Sequence, residues 1–240
     1  GNESWNKPNN WNDGAGPVPS GTTDVVIRTD LTVNANSPST PEYFGSLTLH
    51  PYARVQILTN PEDIRALGTG RITVYEGGEI SFVDTQTRVV ENSIFLVGRG
   101  TISAGISTLG PGNLTLAGTI EGDYPLELTG NTRSEIRLDA NNTFSELFAV
   151  KAVYTRQAWK LFAEQRGSLG MGNVTVEPSI SLYIEADDAM NATGTLHLIG
   201  EGAPNSPKLT MNANNTIEGL LVDGLALAED HLRKAGAQFA

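Results

Sequence analysis

The chain has 240 residues, a formal net charge of −11 and no cysteine. A strongly acidic chain lacks the basic surface that neutralises phosphates, which argues against nucleic acid as a partner. The absence of cysteine excludes disulfides, thiolate metal sites and cysteine nucleophiles. No stretch approaches the roughly 20 apolar residues that a membrane-spanning helix needs, so no membrane span is expected in this chain.

Residues 1–23 are rich in proline and glycine, and they carry two tryptophans, Trp5 and Trp11. So many breakers predict a loop rather than a strand. The favoured interpretation is an N-terminal cap in which the indoles cover the open end of the fold. The alternative is that Trp5 and Trp11 stack on sugar rings and bind a glycan.

Residues 24–224 contain short runs that alternate apolar and polar side chains, separated by glycine, asparagine or proline. This alternation predicts strands with one buried face. Strands this short must stack on neighbours, and their spacing predicts an all-β solenoid, a right-handed parallel β-helix. A β-sandwich or jelly roll is the alternative, because alternation alone does not fix topology. The residues expected to point inward are Val25, Ile27, Leu47, Leu49, Ile72, Val74, Ile80, Phe82, Leu114, Leu116, Val174, Val176, Leu182 and Ile184.

Residues 144–166 interrupt this pattern with a dense run of apolar and aromatic side chains. The run fits one helix, whose apolar face would include Leu147 and Leu161, or two strands. Because the residues are rich in aromatic and β-branched types and the neighbouring segments are β, two strands over 147–153 and 159–163 are favoured.

The chain closes with 219–224, predicted as the last strand and turn, and with 225–240, predicted as a C-terminal cap. The cap contains good helix formers followed by Gly236, which suits a short helix and its stop. A stack of coils must cover its last apolar layer and its open strand edge. We therefore expect one solenoid domain over 1–240, with a cap at each end.

Carboxylates are the main candidates for chemistry. Glu76 and Glu79 flank two glycines, Asp84 follows them, and Asp187 and Asp188 are adjacent. Oxygen ligands on glycine- and asparagine-rich loops suit calcium, so these five residues are candidate calcium ligands; solvated turns are the alternative. Adjacent strand residues point to opposite faces, so the adjacent pair could share an ion only in a turn.

The remaining motifs assign no catalytic residue. The three histidines, His50, His197 and His231, have no metal-binding spacing. There is no G-x-S-x-G elbow and no phosphate-binding glycine loop in a βαβ unit. Apart from calcium, no cofactor is expected.

Two parts of the sequence are similar to known bacterial modules. The opening resembles the start of bacterial surface β-solenoid modules, through Trp5, Trp11, Pro19, 24–27 and 46–49. The later part resembles autotransporter-type β-strand repeats, through 142–145, 169–176, 182–184 and 220–224. Glu146 stands where the repeat usually has glycine, and 147–166 is more aromatic than the repeat.

This resemblance implies an exported bacterial protein, secreted or on the cell surface, that serves as a scaffold or adhesin. The implied partner is a polysaccharide or a host or cell-surface glycan. The alternative function is a polysaccharide lyase or glycoside hydrolase of the β-helix type, enzymes that use acidic residues. A groove with clustered carboxylates and arginines along one face would indicate the enzyme.

Overall fold

The strands of the chain stack into a parallel β-helix, which confirms the predicted fold class. The computed structural model describes residues 21–29, 31–33, 45–57, 67–83, 85–105, 111–131, 133–151, 158–200, 206–222 and 225–226. In chain order its strands are β1 (Val25–Ile27), β2 (Leu31–Val33), β3 (Leu47–Leu49), β4 (Arg54–Ile57), β5 (Ile72–Val74), β6 (Gly78–Phe82), β7 (Thr87–Val90), β8 (Ile94–Leu96), β9 (Gly100–Ala104), β10 (Asn113–Leu116), β11 (Ile120–Glu121), β12 (Leu126–Gly130), β13 (Glu135–Leu138), β14 (Leu147–Lys151), β15 (Trp159–Ala163), β16 (Val174–Val176), β17 (Ile180–Ile184), β18 (Thr195–Leu198), β19 (Lys208–Met211), β20 (Gly219–Val222) and β21 (Leu225–Ala226).

Three sheets form the faces of the solenoid. Face A has five strands in the order β1-β3-β5-β8-β11, and face C has six in the order β7-β10-β13-β15-β17-β19. Face B runs the length of the described fold with ten strands, β2-β4-β6-β9-β12-β14-β16-β18-β20-β21. On face A, Val25 pairs with Leu47, Leu47 with Ile72, and Ile72 with Ile94, so one coil takes about 22 to 25 residues.

The apolar core fills the space between the three faces. Every residue that the alternation pattern placed inward is buried, including Leu47, Leu114 and Leu182. Burying such a side chain stabilises the fold by about 1.5–3 kcal/mol, but only when the next coil covers it. Alternation therefore gives each strand an apolar face, and stacking of the coils is what buries that face.

The aromatic run at 144–166 contains two strands, β14 and β15, as favoured from the sequence. Trp159 points into the core with 1% of its surface exposed. Its indole Nε1 donates a hydrogen bond to the Val150 carbonyl at 3.2 Å, so the buried indole N–H is satisfied.

Buried asparagines tie successive coils together at the corners. Asn142 Oδ1 accepts a hydrogen bond from Ile120 N, and Asn142 Nδ2 donates to Ser168 O, both at 2.8 Å. Asn215 also uses both ends of its amide, but on one coil: it accepts from Met190 N at 3.1 Å and donates to Ala186 O at 3.0 Å, both on the preceding coil. The corner amides therefore satisfy backbone groups that no strand partner reaches.

The predicted caps lie mostly outside the described residues. Trp5, Trp11 and the rest of 1–20 are outside them, as is 227–240. The predicted last strand corresponds to β20, but a further two-residue strand, β21, follows and pairs with it in antiparallel orientation. The backbone thus reverses at this edge of face B, a feature that the alternation pattern did not predict.

Candidate functional site

Glu76 lies at the corner between faces A and B, and Glu79 lies at the start of β6. Glu76 Oε2 accepts a hydrogen bond from Arg99 N at 2.9 Å, and Glu79 Oε1 accepts one from Ser103 Oγ at 2.7 Å. Both donors belong to the following coil. Each carboxylate therefore has a separate protein partner and links one coil to the next.

Asp187 and Asp188 occupy the turn after β17, and Asp188 has a positive φ of 52°. Asp187 Oδ1 accepts from Asn214 N at 2.8 Å, on the following coil. Asp188 Oδ2 lies 3.8 Å from Arg166 Nε, on the preceding coil. The two carboxylates lie in a turn, as sharing an ion requires, but their contacts lead in opposite directions along the solenoid.

The structure places these four predicted calcium ligands in two separate groups. Glu79 lies in β6, and Asp187 follows β17, which shares a coil with β16. On face B, β6 and β16 are four strand-to-strand steps apart, so the two groups are separated by roughly 20 Å along the axis. Asp84, the fifth candidate, lies outside the described residues. Within the described part of the chain, no three His, Asp or Glu side chains are grouped so that they could hold a metal ion.

The outer side of face C carries a ladder of stacked side chains that we call the face C ladder: Arg137, Phe162 and Tyr183. The rings of Phe162 and Tyr183 stack with centroids 4.7 Å apart and planes 13° apart. The guanidinium of Arg137 lies 4.1 Å from the centre of the Phe162 ring. Both faces of Phe162 are thus covered by its neighbours, and no sugar can stack on that ring.

Ion pairs flank the face C ladder. Arg137 bonds to Glu135 at 2.9 Å and to Glu164 through its other terminal nitrogen, and Lys160 Nζ donates to Glu135 Oε1 at 2.9 Å. The hydrogen bond from Lys160 lowers the pKa of Glu135, and the same bond raises the pKa of Lys160. Glu135 is therefore held in its ionised form, whereas a glycosidase acid needs a raised pKa.

A shallow depression of about 440 Å³ lies beside the end of face C. Asn212 Nδ2 donates to both oxygens of Glu185, at 3.0 and 2.9 Å. Asp187, the second carboxylate at this depression, accepts from Asn214 N as described above. Both acidic groups are therefore already bonded to amides of the following coil.

Large exposed apolar side chains are concentrated in the turns that come just before the strands of face B. Of six such side chains among the described residues, Tyr52, Tyr75, Tyr124 and Met171 lie along this one edge. Backbone hydrogen bonds stack these corner segments coil on coil, from Tyr52 N to Glu76 O and from Met171 N to Phe144 O. We call Tyr52, Tyr75 and Tyr124 the tyrosine corner.

Sequence reasoning missed both the face C ladder and the tyrosine corner. The available signal was the spacing, because Arg137 and Phe162 are directly paired in neighbouring strands, as are Phe162 and Tyr183. Reading that signal requires the register of each coil, and the loops between strands vary in length. The sequence alone therefore could not align these side chains.

Comparisons with protein families, curated proteins and solved structures gave no match. Among the described residues, no helix has the length and apolar character needed to cross a membrane.

Proposed function

We propose that this protein is a non-enzymatic scaffold or adhesin-like module of an exported bacterial protein, and that it contacts a polysaccharide or cell-surface glycan. The observation that carries the proposal is the continuous parallel stack from β2 to β20 along face B. Such a stack holds its outer side chains at fixed spacing over a long distance, which suits an extended partner.

The chemistry of the outer carboxylates supports a scaffold over an enzyme. Glu76, Glu79, Glu135, Asp187 and Glu185 each accept hydrogen bonds from groups on a neighbouring coil. Face C does carry carboxylates clustered around an arginine, the feature expected of a polysaccharide-active enzyme. There, however, Arg137 bridges Glu135 and Glu164, and the hydrogen bonds from Lys160 and Arg137 lower the pKa of Glu135.

The test compares binding with turnover on the same polysaccharides. A glycan array on the 240-residue chain is run beside assays for new reducing ends and for unsaturated products from acidic polysaccharides. We expect binding without product. Reproducible turnover that Glu79→Gln or Glu135→Gln abolishes, with Asn173→Ala as an exposed control variant, would establish the enzyme instead.

Export is tested separately, by fractionation of the source cells with an antibody against this chain. The proposal expects the protein in the outer surface fraction or in the medium. Recovery in the cytoplasm alone would refute the exported part of the proposal and leave the binding result unaffected.

A further inference from the structure

Tyr52 combines exposure with backbone strain. Its side chain is 76% exposed, and its φ is 60°. An aromatic residue in this left-handed region costs on the order of 1–2 kcal/mol relative to glycine. The turn is held by hydrogen bonds from Tyr52 N to Glu76 O at 2.9 Å and from Ala53 N to His50 O at 3.0 Å. The fold therefore presents a large ring to water at a position where glycine would be less strained.

The ring of Tyr52 rests on the next coil. A Cβ placed on Gly77 would lie 2.5 Å from Tyr52 Cδ1 and 2.8 Å from Cε1, so this edge of the ring lies close against the glycine. The contact with Gly77 supports the ring, while 76% of the Tyr52 surface stays exposed. A supported ring loses little conformational entropy when a ligand stacks on it.

Other aromatic and polar side chains lie along the tyrosine corner. The ring of Tyr75 lies 5.9 Å from the imidazole of His50, and Glu76 is exposed beside them. Gly77 N donates to Arg99 O, and Gly100 N donates to Pro125 O. Together with the bond from Tyr52 N to Glu76 O, these two bonds place Tyr52 and Tyr124 three coils apart, roughly 14 Å along the axis.

We propose that the tyrosine corner binds a neutral polysaccharide chain that runs along the solenoid axis, with a sugar ring stacked on Tyr52. This inference rests on the glycan contact in the proposed function. The C–H face of a sugar ring packs on an aromatic face, and its hydroxyls bond to polar groups at the rim. The exposed acids Glu76 and Asp123 and the net charge of −11 disfavour an anionic chain.

The experiment uses the full 240-residue chain in affinity electrophoresis and titration calorimetry. The probes are soluble neutral glucan, xylan and mannan, with polygalacturonate as the acidic comparison. Tyr52→Gly removes the ring at a backbone conformation that glycine adopts without strain, so its melting temperature should not fall. Tyr52→Phe keeps the ring, and Val89→Ala removes an exposed side chain on face C.

We expect one neutral polysaccharide to bind, Tyr52→Gly to weaken it by about tenfold or more, and both other variants to bind normally. Binding that Tyr52→Gly leaves unchanged would overturn this inference and leave the proposed glycan contact standing. Binding of polygalacturonate alone would also overturn it, because the charge argument would be wrong. If the native chain bound no glycan on the array or in the gel, both proposals of glycan contact would fail.

Discussion

The buried corner amide of Asn142 offers a sharp test of how the coils are held together. Its side chain is 1% exposed and joins three coils, accepting from Ile120 N and donating to Ser168 O, both at 2.8 Å. Asn142→Ala removes both hydrogen bonds and adds no bulk. It leaves a backbone N–H and a backbone carbonyl without these partners in an interior where water does not reach them.

The expected loss follows from those two groups. Leaving a buried donor or acceptor unsatisfied costs about 1–3 kcal/mol each. Asn142→Ala should therefore lower the free energy of unfolding by about 2–6 kcal/mol, a large part of the 5–15 kcal/mol typical of a domain. Relaxation of the corner or entry of a water molecule would move the result toward the lower end.

Urea denaturation followed by circular dichroism and by tryptophan fluorescence measures this loss. Asn173→Ala is the matched control, because Asn173 also accepts a hydrogen bond from the next coil, from Thr195 N at 2.9 Å, but is exposed. Water can replace that bond, so about 1 kcal/mol or less should be lost. Equal losses in the two variants would refute the argument that burial of the corner amide stabilises the stack.

Three further outcomes test the same physical account. Gly172→Ala should lower the melting temperature severely, because its Cβ would lie 1.8 Å from the Ser145 carbonyl oxygen. Gly219→Ala should change the melting temperature little, because the atom nearest to its Cβ, Thr195 Oγ1, would be 3.6 Å away. The pKa of Glu135 is lowered in the folded protein, so its ionised carboxylate should stabilise the fold at pH values above the ordinary pKa of glutamate. This stabilisation should be lost as the pH falls through the lowered pKa. Glu135→Gln should remove this part of the pH dependence, as measured by urea denaturation. A double-mutant cycle of Phe162→Ala and Tyr183→Ala should give a coupling energy of about 0.5–1.5 kcal/mol, and a value near zero would show that the stacked rings do not stabilise each other.

The inward residues show what could be read directly from the sequence. Leu114 and Leu116 alternate with Asn113 and Thr115, and the leucines are buried as predicted. Period-two alternation sets which side of a strand is buried before any partner is known. The two strands at 147–151 and 159–163 followed from the same local reasoning, because aromatic and β-branched residues favour a pleated surface.

The outer surface was far less predictable. Asp187 and Asp188 are adjacent in the sequence, yet their carboxylates contact different coils. Arg137, Phe162 and Tyr183 are distant in the sequence, yet they form one stack. Closeness in sequence therefore wrongly suggested that the two aspartates act together, and distance in sequence gave no sign that the three stacked side chains meet.

The sequence by itself determined the strand pattern and the buried face of each strand, because alternation and turn residues act within a few positions of the chain. The spacing favoured a β-solenoid over a sandwich, and the parallel pairing of the coils decided between the two. Only the tertiary structure decided which outer side chains meet. Contacts between coils depend on register, and register depends on the length of every intervening loop. One residue more or less in a loop would move the face C ladder or the tyrosine corner out of alignment while leaving each strand's own pattern intact.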